Sequence, residues 1–294
     1  MAATIIDGKA LAASIRKGIA SEIAALASEN HRPGLATVLV GDDPASAVYV
    51  RNKIQACREV GMAAIDRHLP ISTSEKELLH HMKELTDDPK VNGILVQLPL
   101  PDQISPMAVF EAMPEAKDVD GFGIANWGRL FLARTPKELE HCFVPCTPLG
   151  VLRMIESAGV NPEGKMACVL GRSNIVGKPM AHLLTLYNAT ATVVHSKTKN
   201  LPQVVKQADI VVAAIGKALF VTADMVRPGA CVVDVGINRN ENGKLVGDCD
   251  FEALRDKAGY LSPVPGGVGP MTIAMLLSNT LKAWKRTIKS ASPS

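Results

Sequence analysis

A repeated change of period constrains this chain most. Apolar runs of five to eight residues, most of them closed by glycine or proline, alternate with longer segments whose apolar residues recur every three or four positions. A run that short and that apolar reads as a strand buried on both faces. Such strands need helices to cover them, so the pattern predicts an α/β fold with parallel sheets. In the first half, residues 8 to 28 carry Ile15, Ile19, Ile23 and Leu26 at helical spacing, and Leu35 to Val40 reads as a strand. Asp43-Pro44 starts a helix that ends near Gly61, because Asp caps and Pro suits the first helical position. Ser74 and Glu77 have capping-box spacing ahead of Leu78, Leu79, Met82 and Leu85. Val91 to Leu98 is the next strand. A second series opens at Thr147-Pro148 with a helix to about Ala158. Strands at Met166–Leu170, Thr190–Val194, Ile210–Ile215 and Cys231–Val235 follow, and the chain closes on an amphipathic helix over 271 to 287. The Ser290–Ser294 tail reads as a solvated end.

The 294 residues are enough for one large or two medium domains. A net charge of +3 is too small to make nucleic acid the main partner, yet it tolerates an anionic ligand. No apolar run reaches the length of a membrane-spanning helix. The start, Met1 to Asp7, lacks the basic and long apolar regions of a signal peptide, so a cytoplasmic chain with reduced thiols is expected. His141, Cys142 and Cys146 lie close together, but no second ligand pair follows and no metal site is expected.

Gly171-Arg-Ser-Asn-Ile-Val-Gly177 follows one of these strands and precedes a helix, Lys178 to Tyr187. That is where a Rossmann-type unit places its phosphate loop: glycines let the backbone approach, and the helix start offers N–H groups to an anion. The spacing alone also suits a plain βα turn. The next strand ends in His195-Ser-Lys-Thr-Lys199, with no carboxylate to bind a ribose 2′-hydroxyl. A hydroxyl, two lysines and Arg172 suit a 2′-phosphate instead, so NADP is the expected cofactor.

On the helix from Pro44, Ser46, Tyr49 and Lys53 stand at i, i+3 and i+7 and share a stripe about 60° wide. Val50, Ile54 and Cys57 form the adjoining stripe. Lys53 therefore borders apolar surface, where poor solvation favours an uncharged amine that can act as a base. The same spacing also fits an amphipathic helix with a snorkelling lysine and a packed tyrosine. Gln97 sits in an apolar run and needs a polar partner. Asp118-Val-Asp-Gly121 fits a metal site, a base or a turn, and taken alone reads best as a turn. Pro263 to Pro270 is a stiff, glycine-opened loop whose backbone can approach a ligand.

Taken in order, these segments resemble the bifunctional methylenetetrahydrofolate dehydrogenase/cyclohydrolase family. The resemblance runs from about residue 4 to 284. It rests on Ser46-x-x-Tyr49-x-x-x-Lys53, Gly93 to Pro101, Asp118 to Gly121, Pro145 to Pro148, Gly171 to Gly177, His195 to Thr198, Asp234-Val-Gly-Ile-Asn238 and Pro263 to Thr272. It implies two domains with a folate cleft between them. Residues 1–145, completed by the C-terminal helix over 271–294, would be the catalytic folate-binding α/β domain, and 146–270 the Rossmann-type NADP-binding domain. The implied reaction oxidises 5,10-methylenetetrahydrofolate to the methenyl compound with NADP+, then hydrolyses that to 10-formyltetrahydrofolate. The resemblance implies catalytic roles for Lys53, Tyr49, Gln97 and Asp120. It also implies cofactor contacts from Gly171, Arg172, Ser173, Ile175, Ser196 and the backbone of Ile237, and a folate border at Leu98, Pro99, Gly266, Gly267 and Thr272. It further implies a homodimer acting on one-carbon tetrahydrofolate derivatives, with no nucleic-acid or membrane partner.

The chain departs from the family pattern at Gly123-Ile124, Ala133, Ala218 and Ser262, none of them on the Lys53 stripe. A dehydrogenase that has lost the hydrolytic step is the main alternative, and the presence of Lys53 argues against it. A non-catalytic nucleotide-binding module would leave Tyr49, Lys53, Gln97 and Asp120 without a joint purpose.

Overall fold

The computed structural model describes residues 2–28 and 31–291, with side chains through 288. The expected solvated tail at Ser290–Ser294 thus lies outside the described side chains. The chain forms two compact units. One comprises residues 2–13, 133–139 and 145–275, the other 14–132, 140–144 and 276–291. The helices α1 (Gly8–Leu26) and α10 (Val268–Ala291) each give their first turns to the former unit and the remainder to the latter. Among the described residues no helix is long and apolar enough to cross a membrane.

The smaller sheet has three parallel strands in the order β3-β2-β4. Its centre is β2 (Gly34–Val40), whose seven residues are all buried, as a strand covered on both faces requires. From it α2 (Pro44–Glu59) leads to β3 (Ala63–Leu69), and α3 (Glu75–Asp87) leads on to β4 (Gly93–Val96). Both helices start as their sequences demand. Asp43 accepts from the Ser46 backbone at 2.7 Å ahead of Pro44, and Ser74 and Glu77 form both arms of the capping box. Val38, Val40, Leu78, Met82 and Ile94 meet in the core. β3 was hidden in the sequence because it is an edge strand: Asp66, Arg67 and His68 face water and break the apolar run. Two further helices, α4 (Pro106–Ala112) and α5 (Ile124–Leu132), follow β4. The α10 side chain of Asn279 donates to the carbonyls of Val119 and Val144, so the C-terminal helix pins the segment that carries Asp118 and Asp120.

The larger sheet has six parallel strands in the order β1-β11-β8-β7-β5-β6. These are β1 (Thr4–Ile5), β5 (Met166–Leu170), β6 (Thr190–Val194), β7 (Ile210–Ala213), β8 (Cys231–Asp234) and β11 (Tyr260–Leu261). Helices α6 (Cys146–Ser157), α7 (Gly177–Leu186), α8 (Leu201–Val205) and α9 (Phe251–Arg255) belong to the same unit. A separate hairpin pairs β9 (Asn238–Arg239) with β10 (Leu245–Val246). The four long strands coincide with the apolar runs to within two residues, whereas β1 and β11 are too short to show any period. The chain leaves β5 for β6 on one side and resumes at β7 on the other. A crevice at the carboxyl ends of β5 and β7 is the topological consequence.

Candidate active site and cofactor loops

On α2, Ser46, Val50, Lys53, Ala56 and Cys57 are the buried residues, so the predicted stripe is the face turned inward. Tyr49, one turn before Lys53, is half-buried. Lys53 is only 8% exposed, and its Nζ donates to Gln97 Oε1 at 3.0 Å. Gln97 is held in turn: its backbone N–H donates to Val38 O, continuing the β2–β4 pairing one residue beyond the strand, and its amide nitrogen donates to Leu98 O. The polar partner that the apolar run demanded is thus the amine itself. Among the described residues Lys53 has no carboxylate within ion-pair distance. The partner of this buried amine is thus a neutral amide rather than a counter-ion.

The two aspartates divide the work. Asp118 is buried, and its carboxylate accepts from the backbones of Gly121, Phe122 and Gly123 and from Asn126 Nδ2. The turn reading therefore holds for Asp118, which shapes the loop. Burial pushes its carboxyl up to about 7 against those four donors. Asp120 is half-buried and lines a small depression with Ile94, Val96, Phe110 and Phe122. Leu98 is half-buried and Pro99 exposed just beyond Gln97.

In the larger sheet, β5 is followed directly by Gly171, whose φ of +115° only glycine adopts readily. A Cβ there would stand 2.1 Å from Ala214 O, so the two walls of the crevice touch. Gly177 is packed as closely: its Cβ would lie 2.3 Å from Gly171 O. The helix start is not the open anion site that its sequence promised. Ser173 Oγ accepts from Val176 and Gly177 N–H, at 3.2 Å each, and so satisfies two of those donors internally. Ser173 keeps its hydroxyl proton to donate outward. Arg172 and Ser196 are exposed, and Ile175 is half-buried. Beyond β6, His195 N–H donates to Thr198 Oγ1 while His195 Nδ1 accepts from Lys197 N–H, which holds Ser196 and Lys197 at the tip of a tight turn. Ile237 is 47% exposed after β8.

Comparison with known proteins decides the family. The sequence pattern of the tetrahydrofolate dehydrogenase/cyclohydrolase catalytic domain matches residues 6–120, and that of the family's NAD(P)-binding domain matches 145–288. The bifunctional protein FolD of Burkholderia thailandensis is 55% identical over 99% of this chain and all of its own. That of Moorella thermoacetica is 53% identical over 97% of this chain and all of its own. The chain belongs to this family. The crystal structure of the Campylobacter jejuni FolD enzyme superposes with a TM-score of 0.93 at 48% identity, covering 97% of this chain and 100% of that one. The Trypanosoma brucei enzyme, solved with NADP and an inhibitor, gives 0.92 at 36% identity, covering 98% and 99%. This protein is accordingly a bifunctional dehydrogenase/cyclohydrolase. It oxidises 5,10-methylenetetrahydrofolate with NADP+ and hydrolyses the methenyl product to 10-formyltetrahydrofolate.

The donor set of the dehydrogenase/cyclohydrolase fits NADP. A guanidinium, a hydroxyl and an exposed lysine stand at the carboxyl ends of β5 and β6, and no carboxylate lies in the β6 turn to repel a 2′-phosphate. The Pro263–Pro270 loop packs closely within its own unit. The close backbone approach its glycines allow is made to α1: a Cβ on Gly8 would lie 2.0 Å from Gly267 O, and Lys9 N–H donates to Gly266 O. Gly267 is buried, whereas Gly269 faces open space. Thr272 shares a 3.0 Å hydrogen bond with Thr147. Sequence reasoning missed Asp248 altogether. Gly236 and Gly247 pack against a carboxylate pair: a Cβ on either would run into one, Asp248 and Asp234 respectively.

Proposed function

We propose that the unit holding the three-stranded sheet is the folate-binding catalytic domain and that Lys53 is its acid–base group. The 3.0 Å hydrogen bond between the buried Lys53 Nζ and the half-buried Gln97 Oε1 carries this reading. NADP+, when bound, accepts the two electrons and the hydrogen removed from the bridging carbon of the substrate. That step asks the protein only for orientation, because the lone pairs of the flanking folate nitrogens drive it. Hydrolysis asks for more. As water adds to the bridging carbon, the Lys53 amine takes one of its protons while Gln97 Oε1 accepts a hydrogen bond from it. That proton then passes to N5 as the C–N5 bond breaks, and the carbinol hydroxyl gives up its own proton to the freed amine and on to water as its C=O forms, which leaves the formyl group on N10. Tyr49 packs the pterin and donates to it, Asp120 accepts from its amino group, and Leu98, Pro99, Gly266, Gly267 and Thr272 border the folate.

The larger unit, with 146–270 at its heart, is the NADP domain. Gly171, Ser173, Ile175 and the backbone of Ile237 seat the cofactor, and Arg172 and Ser196 take the 2′-phosphate. A cytoplasmic homodimer without nucleic-acid or membrane partners completes the reading, supported by the modest charge and the family resemblance. Lys53→Met tests the central assignment. Cyclohydrolase activity is expected to fall by about 100-fold or more. Dehydrogenase activity should fall far less, and the melting temperature should hold. Wild-type hydrolysis in that variant would remove Lys53 from the mechanism.

A further inference from the structure

The crevice beside β5 has a second wall, and a single side chain builds it. Beyond Ala213 the β7–β8 ladder ends, leaving only Val235 N–H on Ala213 O. The next residues, Ile215, Gly216 and Lys217, turn through the left-handed φ of +68° at Gly216 and aim three successive N–H groups at one point. Three such donors form a nest of the kind that binds anions. Here the chain fills it. Asp248 Oδ2 accepts from Ile215 at 2.7 Å and Gly216 at 3.0 Å, and Oδ1 accepts from Lys217 at 2.9 Å. Oδ1 also accepts from Asn238 Nδ2 at 2.9 Å, which reaches across to the loop after β8. Among the described residues these are the only hydrogen bonds of the three backbone donors.

Asp248 is held as firmly as it holds. It is fully buried, and its own N–H donates to Asp234 Oδ1. Asp234, at the end of β8, also accepts from Gly236 and Cys249. The two carboxylates thus accept seven hydrogen bonds between them, and among the described residues neither has a cationic partner within ion-pair distance. Ile237 lies between Gly236 and Asn238, each fixed by one of them.

We propose that Asp248 is the positioning residue of the NADP site, fixing the loops after β7 and β8 from behind so that their outer faces, Ile237 included, meet the cofactor. This rests on the cofactor assignment made above. It further means that the 215–217 nest is closed to the cofactor's phosphates.

Asp248→Asn is the test, because every group facing the carboxylate is a donor and the amide nitrogen would confront two of them. In the ligand-free variant, amide hydrogen exchange at 215–217 should quicken about tenfold or more. The NADPH dissociation constant, read by fluorescence titration, and the KM for NADP+ should rise about 10- to 100-fold with kcat little changed. Hydrolysis of methenyltetrahydrofolate without cofactor should stay at the wild-type rate. Quickened exchange with unaltered NADPH affinity would overturn the proposal. Should Asp248→Asn not fold, Asn238→Ala decides: it removes one of the four bonds, and a several-fold loss of NADPH affinity supports the clamp while no loss refutes it. A wild-type protein that binds no NADPH would instead refute the cofactor assignment beneath it.

Discussion

Lys53 and Arg172 are both basic side chains at the working ends of parallel strands and the helices beside them, yet they are presented in opposite ways. Lys53 is buried on a helix and pinned by the side chain of Gln97. Arg172 stands exposed on a loop whose start is set by the backbone, through the φ of Gly171 and its approach to Ala214. Asp118 extends the first style, bending a loop with a carboxylate, and Gly177 extends the second, packed so closely that a Cβ would lie 2.3 Å from Gly171 O. The difference teaches where each region is vulnerable. Where side chains organise the site, changing a functional group changes both chemistry and local structure. Where backbone organises it, the functional group can be removed without structural cost, but a single methyl group in the wrong place is ruinous.

Gly171→Ala probes the backbone-built region hardest. The added methyl meets a φ that L-residues avoid and a carbonyl oxygen at 2.1 Å. Unfolding free energy in urea should drop by about 2–5 kcal/mol. NADPH binding should be lost, and hydrolysis of added methenyltetrahydrofolate should be the better preserved activity. An alanine variant with wild-type NADPH affinity would show that the approach to Ala214 is not what shapes the loop.

Arg172→Ala should behave in the opposite manner. The guanidinium is exposed, so the melting temperature should not move measurably. The KM for NADP+ should rise about 10- to 100-fold while that for NAD+ stays within about twofold, because a charge-assisted contact to the 2′-phosphate is lost and nothing else is. Equal effects on the two cofactors would take the 2′-phosphate away from Arg172.

The same contrast explains what could be read from the sequence. The Lys53 stripe was legible because helical spacing puts Ser46, Tyr49 and Lys53 on one face, and Gln97 because an amide in an apolar strand must find a partner. Gly171 and Gly177 were legible as punctuation, although not the capping by Ser173, which depends on a rotamer. Edge strands such as β3, and two-residue strands such as β1 and β11, leave too little pattern to detect. Asp248 was invisible for a different reason. Its partners at 215–217 and 238 are backbone amides and one side chain distant in sequence, and no spacing rule links an acid to a nest some thirty residues before it.

A smaller effect is expected from the buried carboxyls, and it tests the side-chain-built region. Burial lifts the Asp118 carboxyl to about 7 and that of Asp234 to about 6, both from an ordinary value of 3.8. Each therefore keeps its proton in the folded protein at pH values where the unfolded chain has released it. Stability must fall as pH rises through that window, since the folded state binds more protons. Asp118 carries the higher value of the two and so holds its proton further up that window. One group contributes at most about 1.4 kcal/mol per pH unit. Asp118→Asn cannot titrate, and its amide must turn an N–H toward donors among Gly121, Phe122, Gly123 and Asn126. Urea unfolding of the variant should thus show lower stability throughout and a flatter dependence between pH 6 and 7. A slope equal to that of the wild type would mean that the four donors, rather than burial, govern Asp118 and keep it ionised in the turn it shapes.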